Sequence, residues 1–265
     1  MRPVPLPSWM AEYVSEVPEV ISSIRAHPPG VPPAVESIPQ INVSMMCSEP
    51  LARIIRDIQE TGFQHWGFVI YRCAYASNLQ WESYLEFFKA RLKQDLEHLE
   101  LDTLPWQYLE WTIIEDPASL DGATKQNVRD HFSNWVAEKA ADGSQPDFCK
   151  IGICDMARFK YCIYVDQKCL DTVDQYETWV QAGAKGVTKA VVCAILDKDY
   201  KPTGRGKRGF QSIEGCVREN TGWMYTEVGC TAGLYDKFSS SRMGEWDYKR
   251  PPEVWPLEDP MPFES

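Results

Sequence analysis

No stretch of this 265-residue chain approaches the ~18 uninterrupted apolar residues that a membrane-spanning helix needs. The opening segment, MRPVPLPSWMAEYVSEVPEV, also lacks an apolar run of signal-peptide length. Pro3, Pro5 and Pro7 interrupt it, and Glu12 and Glu16 follow. The expectation is a soluble chain without a secretory leader. Positive charge is scarce as well: 27 Lys and Arg stand against 38 Asp and Glu, a formal net charge of −11. That balance disfavours a sequence-independent grip on duplex DNA, which needs many cations to displace counterions. It equally disfavours docking on anionic membranes.

Catalytic signatures are missing too. The chain has no GxSxG, no HExxH, no CxxC and no Gly-rich dinucleotide fingerprint. Histidine is sparse. Of the four, His98 and His131 fall on predicted helices among polar neighbours, and His65, just ahead of a predicted strand, is the one worth testing. Nine scattered cysteines do not form a secreted disulfide framework. Cys73, Cys162 and Cys193 sit in apolar strand-like runs, where cysteine behaves as a small buried hydrophobe and is a poor nucleophile. The natural setting is a reducing, cytoplasmic compartment. Cys149 and Cys154 lack a second half for a zinc site, so no metal is expected. No cofactor follows from the sequence.

Apolar residues make up 44% of the chain and charged residues 25%, the balance of a folded domain. Ten Trp, twelve Tyr and ten Phe favour a well-packed core or a pocket lined with rings. Residues 1–47 hold nine prolines and read as an extended arm. Residues 48–238 read as one globular domain, and 239–265 as an extended, Pro-rich tail. Within the domain, Ser48 is a candidate N-cap for a helix through Leu51, Ile54, Ile55 and Ile58 that stops at Gly62. WGFVIYRCAY (66–75) reads as a strand. Ser77 and Gln80 form a capping box ahead of the apolar stripe Trp81, Tyr84, Leu85, Phe88, Leu92, Leu96 and Leu99.

LEWTIIE (109–115) predicts a second strand, and Val128, Phe132, Trp135 and Val136 predict a helix after Asp121-Gly122. ARFKYCIYVD (157–166) predicts a third strand with one polar and one apolar face. A helix through Leu170, Val173, Tyr176 and Val180 and a central strand over 190–196 follow, then a helix over about 222–238. This alternation predicts an α+β fold, with ferredoxin-like β-α units around one sheet and Pro-rich arms. The alternative is a doubly wound three-layer α/β sheet. Alternating polarity in the second and third strands points to a sheet face only partly covered.

Three constellations can carry chemistry. Glu115-Asp116, Asp166 and Asp197 with Asp199 end predicted strands, and strand C-termini line the ligand crevice of open α/β sheets. If those strands are parallel, the carboxylates converge to bind a hard cation, act as acid and base, or clamp an amine or guanidinium. If they are antiparallel, the acids lie at opposite ends and serve as turn residues and N-caps. Arg72, a charge inside an apolar strand, needs a partner. It either pairs with one of these acids or holds a substrate carboxylate or phosphate. Finally, KPTGRGKRG carries Lys201, Arg205, Lys207 and Arg208 with no acid, a run able to wrap a phosphate or touch nucleic acid.

Several phrases together resemble a large family of uncharacterised proteins from filamentous ascomycete fungi. They are HWGFVIYRCAY (65–75), EWTIIEDPASLDGATKQNVRDHFSNWV (110–136), ARFKYCIYVDQKCLD (157–171), IEGC (213–216) with TGWM (221–224), and YKRPPEVW (248–255). The resemblance covers roughly residues 48–255. It implies an intracellular fungal origin and brings no activity or catalytic residues. The expectation is an enzyme of fungal small-molecule (secondary) metabolism, with transferase as a candidate class, acting on a small-molecule substrate through the strand-end carboxylates. One alternative is a cyclodipeptide-forming enzyme that takes aminoacyl-tRNA through the 201–208 loop. Another is a non-catalytic interaction module.

Overall fold

A computed structural model of the protein describes residues 34–41, 50–99, 103–141, 152–201, 208–243 and 248–257. Most of the N-terminal arm, Ser48, Cys149, and Arg205 and Lys207 of the basic loop lie outside them. Among the described residues no helix is long and apolar enough to cross a membrane.

The first long helix, α1 (Ala52–Thr61), buries Ala52, Ile54, Ile55 and Ile58 and stops at Gly62, whose φ of +69° suits glycine. Leu51 occupies its N-cap position and makes no side-chain cap bond. The cap comes from a distant element: Asp236 accepts from the amides of Arg53 (2.8 Å) and Ile54 (3.2 Å) and from the Arg53 guanidinium (2.9 Å). Helix α2 (Asn78–His98) is capped by Ser77, whose hydroxyl accepts from the Gln80 amide at 3.2 Å. The Gln80 side chain turns away to Asp171 and Asp174. Trp81, Tyr84, Phe88, Leu92 and Leu96 are buried, the stripe expected from the periodicity.

Six strands form the main sheet: β1 (Val69–Arg72), β2 (Ile113–Ile114), β3 (Tyr161–Val165), β4 (Val192–Asp197), β7 (Trp223–Glu227) and β8 (Val254–Trp255), in the order β2-β1-β3-β4-β7-β8. A separate antiparallel hairpin is built from β5 (Arg208–Ile213) and β6 (Cys216–Arg218). Helices α3 (Lys125–Ala141), α4 (Gln167–Gln181) and α5 (Thr231–Phe238) complete the long elements. The α+β class expected from the sequence is the one observed. Strand β4 is antiparallel to both neighbours, whereas β1, β2 and β3, and β7 with β8, pair in parallel.

Several local expectations change. Ala157–Lys160 forms a helical turn, so the third strand begins at Tyr161. Every residue of β3 is buried, so neither sheet face is left half covered there. The helix expected over 222–238 splits. Its first half, WMYTE, is rich in residues that favour strands and enters the sheet as β7, and only Thr231–Phe238 is α-helical. Described parts of the N-terminal arm and the C-terminal tail also join the domain. Val35, Ile38 and Ile41 pack into the core, and Val254–Trp255 adds a strand beside β7.

Register defines what each sheet face carries. Tyr71 lies beside Tyr164, which lies beside Ala194 and Tyr225; Cys162, Leu196 and Trp223 are likewise in line. Alternation puts these residues on one face. Helix α3 covers the Tyr71 end of that face, where the Tyr71 hydroxyl meets His131 Nδ1 at 3.0 Å and its ring meets Phe132 edge-on. Helices α2 and α5 cover the opposite face. Tyr84 donates to the Val192 carbonyl (2.8 Å), and Phe238 packs on Tyr161 at 4.6 Å.

The α1–α5 contact contains a titratable weak point. One oxygen of Asp57 is buried without a hydrogen-bond partner. Burial pushes its pKa up to about 6, the Ser239 hydrogen bond partly offsets this, and the charges of Asp236 and Glu60 add to the rise. A carboxyl whose folded pKa is raised favours folding when protonated. Stability is therefore lost as pH rises from the unfolded value of 3.8 through about 6. Asp57→Asn should stabilise the protein at pH 7.5 by about 1–2 kcal/mol, and the gain should vanish below pH ~4. Denaturant unfolding at the two pH values reads this out; an equal gain at both would exclude Asp57 ionisation as the cause.

Candidate functional site

The strand-end acids divide between the two ends of the sheet: β2 and β3 run parallel to β1, so Glu115-Asp116 and Asp166 follow one end, and Asp197 lies at the other. Because β4 runs against β3, Asp197 pairs with Tyr161 at the start of β3, while Asp166 follows the far end of that strand. Each acid has a local task. Asp116 caps the turn Pro117–Leu120, accepting from the Ala118 amide (3.1 Å) and the Ser119 hydroxyl (2.6 Å), which hold its pKa below the usual value. Asp166 caps α4 through the Cys169 amide at 3.1 Å. Asp197 accepts from the Asp199 amide at 2.9 Å, and burial raises its pKa.

Arg72 is buried and partnered within the fold. It donates to the Ala74 carbonyl (3.0 Å) and Asn78 (2.6 Å), and it lies 3.7 Å from Glu115. Its guanidinium also stands over the rings of Tyr75 and Trp81. These contacts match the structural pairing, and Arg72 is not among the residues lining the protein's large cavity. His65 is exposed beside Glu110, and the Cys73 thiol is pushed up to about 12 by burial, which keeps it protonated. Among the described residues no group of three or more His, Cys, Asp or Glu is placed to hold a metal. Lys201 is exposed, and Arg208 begins β5.

A large cavity lies elsewhere, on the sheet face shared by Tyr164, Trp223 and Tyr225. Its volume is about 890 Å³, within the ~300–1,000 Å³ typical of ligand sites. Those three rings form the floor. Trp223 and Tyr225 meet edge-to-face at 5.1 Å. The first turn of α3, the β5–β6 hairpin tip, Tyr200 and Pro251-Pro252 form the walls. Of the acids expected to act, Asp166 alone reaches this lining.

Lys125 is the unusual residue. It opens α3 behind Thr124, whose hydroxyl accepts from the Asn127 amide. A cation there opposes the positive end of the helix dipole. It is also only 5% exposed. What compensates is local: the Nζ lies 4.0 Å over the Trp223 ring, 4.8 Å over Tyr164, and 2.5 Å from the Glu214 carboxylate. Glu214 sits at the tip of the hairpin with φ +49°, beside Gly215 at +80°. Two consecutive left-handed residues make the turn that a two-residue hairpin prefers. Asn, Asp or Gly suit the first of them, so a glutamate there is held by its side chain.

Arg129, one turn further along α3, donates to the carbonyls of Asp197 (3.0 Å) and Gly222 (2.9 Å) and ties the helix to the ends of β4 and β7. Gly222 has φ +75°, and a Cβ there would collide with the Tyr200 ring. Burial lowers the Arg129 pKa and raises those of Tyr164 and Tyr200, the last to about 12.

The expected site residues missed Lys125, Glu214, Trp223, Tyr225 and Tyr200. Two signals were present in the sequence. A Glu-Gly pair between Ile213 and Cys216 marks a tight hairpin. A lysine directly after a Thr N-cap runs against the usual charge pattern of a helix start. Compared with family models, with curated proteins and with solved structures, the chain shows no match.

The pair should show the asymmetry of a buried ion pair, in which losing one partner costs more than losing both. Glu214→Gln should destabilise the fold by about 1–2 kcal/mol, discounted because Glu214 is half exposed. Adding Lys125→Met should recover most of that loss. A double-mutant cycle by denaturant unfolding measures it; strictly additive losses would mean the two side chains do not interact.

Proposed function

We propose that the protein is an enzyme that binds a small organic molecule in this cavity and transfers a proton to or from it through Lys125 or Glu214. The observation that carries the reading is a buried lysine, paired with a carboxylate and set against two rings, in the wall of a cavity of about 890 Å³. Lys125 opposes its helix dipole and Glu214 occupies a left-handed turn. Local stability is given up at both positions, which is common at working sites. An amine and a carboxylate in hydrogen-bond contact supply the donor and acceptor that acid–base chemistry needs.

The aminoacyl-tRNA reading draws no support from the described part of the basic run. Of its side chains only Lys201 is described, and it is exposed away from the cavity lining. The interaction-module reading fares similarly. The exposed large apolar residues, Leu79, Val180, Val187, Phe210 and Val217, are spread over α2, α4, the loop after it and the hairpin.

The test is chemical. Protein expressed in a eukaryotic host and extracted with organic solvent should release a co-purifying metabolite detectable by mass spectrometry. Lys125→Met, checked for an unchanged circular-dichroism spectrum, should release it at roughly tenfold lower yield, the loss expected when one charge-assisted hydrogen bond is removed. The metabolite should also change in level between expressing and empty-vector hosts. Equal release from both proteins, or no difference between hosts, would sink the proposal.

A further inference from the structure

Glu214 shows what the cavity is built to receive. Its carboxylate is bound to Lys125 Nζ, yet the side chain is half exposed and hangs from the tip of a two-stranded hairpin outside the main sheet. A hairpin of this kind has little stability of its own. Its strands are held by Arg250, which donates to the carbonyls of Gln211 (2.7 Å), Cys216 (3.1 Å) and Arg218 (2.9 Å), and by Ile213, which packs against the main core. The Glu214 side chain adds the ion pair with Lys125. That carboxylate is solvent-reachable and can be replaced without detaching the strands.

We infer that the cavity takes a planar molecule carrying one carboxylate, and that this carboxylate replaces Glu214 on Lys125. The inference rests on the small-molecule reading of the cavity and specifies its ligand. Three observations support it. First, charge: the chain as a whole is strongly acidic, yet the lining carries Lys125, Arg129 and Lys168 against Asp166 and Glu214. Arg129 is engaged by two carbonyls, so Lys125 is the buried cation left to meet a ligand. One excess positive charge matches a carboxylate monoanion better than a phosphate dianion, and it repels an amine.

Second, hydrogen bonding: three of the cavity hydroxyls already use their protons. Tyr164 donates to the Ala123 carbonyl (2.9 Å), Tyr200 to the Asn220 carbonyl (2.7 Å) and Thr221 to the Trp223 carbonyl (2.9 Å). They present lone pairs to the cavity. They therefore suit hydroxyl or N–H donors at the far end of the ligand, while an anion finds its donor at Lys125. Third, shape: ring faces of Tyr164, Trp223 and Tyr225 make the floor, a surface on which a flat unsaturated skeleton packs best.

Release of Glu214 gives the device a consequence. The ligand anion keeps Lys125 neutralised and so keeps its burial tolerable.

Isothermal titration calorimetry with full-length protein tests this. The probes are 4-hydroxycinnamate, its methyl ester, tyramine and phenyl phosphate. 4-Hydroxycinnamate should bind at least about tenfold tighter than each of the other three. Glu214→Gln, which removes the competing charge and keeps the hairpin, should tighten it severalfold further. Lys125→Met should leave acid and ester equal. Tighter binding of tyramine, the ester or phenyl phosphate overturns the inference while leaving the cavity a binding site. Weaker binding of the acid by Glu214→Gln overturns the replacement step. Absence of heat with all four probes overturns the inference too, and metabolite extraction then decides separately whether the cavity binds anything.

Discussion

The direction of β4 governs the molecule. It runs against β3 on one side and β7 on the other, and this single reversal sets the two ends of the sheet apart. Carboxylates that follow β3 and β4 in the chain finish at opposite ends, so Asp166 and Asp197 are kept apart. The same pairing brings Tyr164, Ala194 and Tyr225 into one row, with Trp223 on the same face one pleat along. The alanine between the two tyrosines keeps the middle of that face low, and the flanking rings make a floor instead of a packed ridge.

Everything chemically distinctive then gathers above this floor. Burying an ammonium is expensive, and placing it at a helix N-terminus adds to the cost. The fold meets that cost with two ring faces and one carboxylate. The carboxylate is delivered by a hairpin whose turn geometry suits glycine or asparagine better. Each compromise is local, and together they create a patch of positive potential inside an acidic protein. Arg129 supports the arrangement from one turn below by holding α3 against the ends of β4 and β7 through two carbonyls.

What could be read along the chain was whatever near neighbours in sequence decide. The stripe from Trp81 to Leu96, the Ser77 cap and the Gly62 stop were all legible, because periodicity and capping involve residues within one or two turns. Legibility failed where a partner is remote. The first amides of helix α1 are met by Asp236, 183 residues from Arg53, a partner that no local pattern announces. WMYTE was read into a helix, although its ring-rich, β-branched composition already favoured the strand it forms between β4 and β8. Arg72, a charge inside an apolar strand, finds partners in Asn78, Glu115 and two rings.

The sequence by itself determined the α+β class, the long amphipathic helices and the charge balance that disfavours a general nucleic-acid grip, since these follow from composition and short-range pattern. Tertiary structure alone decided the site. Lys125, Tyr164 and the Glu214–Trp223 segment are separated by tens of residues, and none belongs to a known catalytic signature. They meet because one strand turns back through the sheet and a hairpin folds over the face it creates. Such a meeting depends on long-range register and direction, which local pattern does not encode.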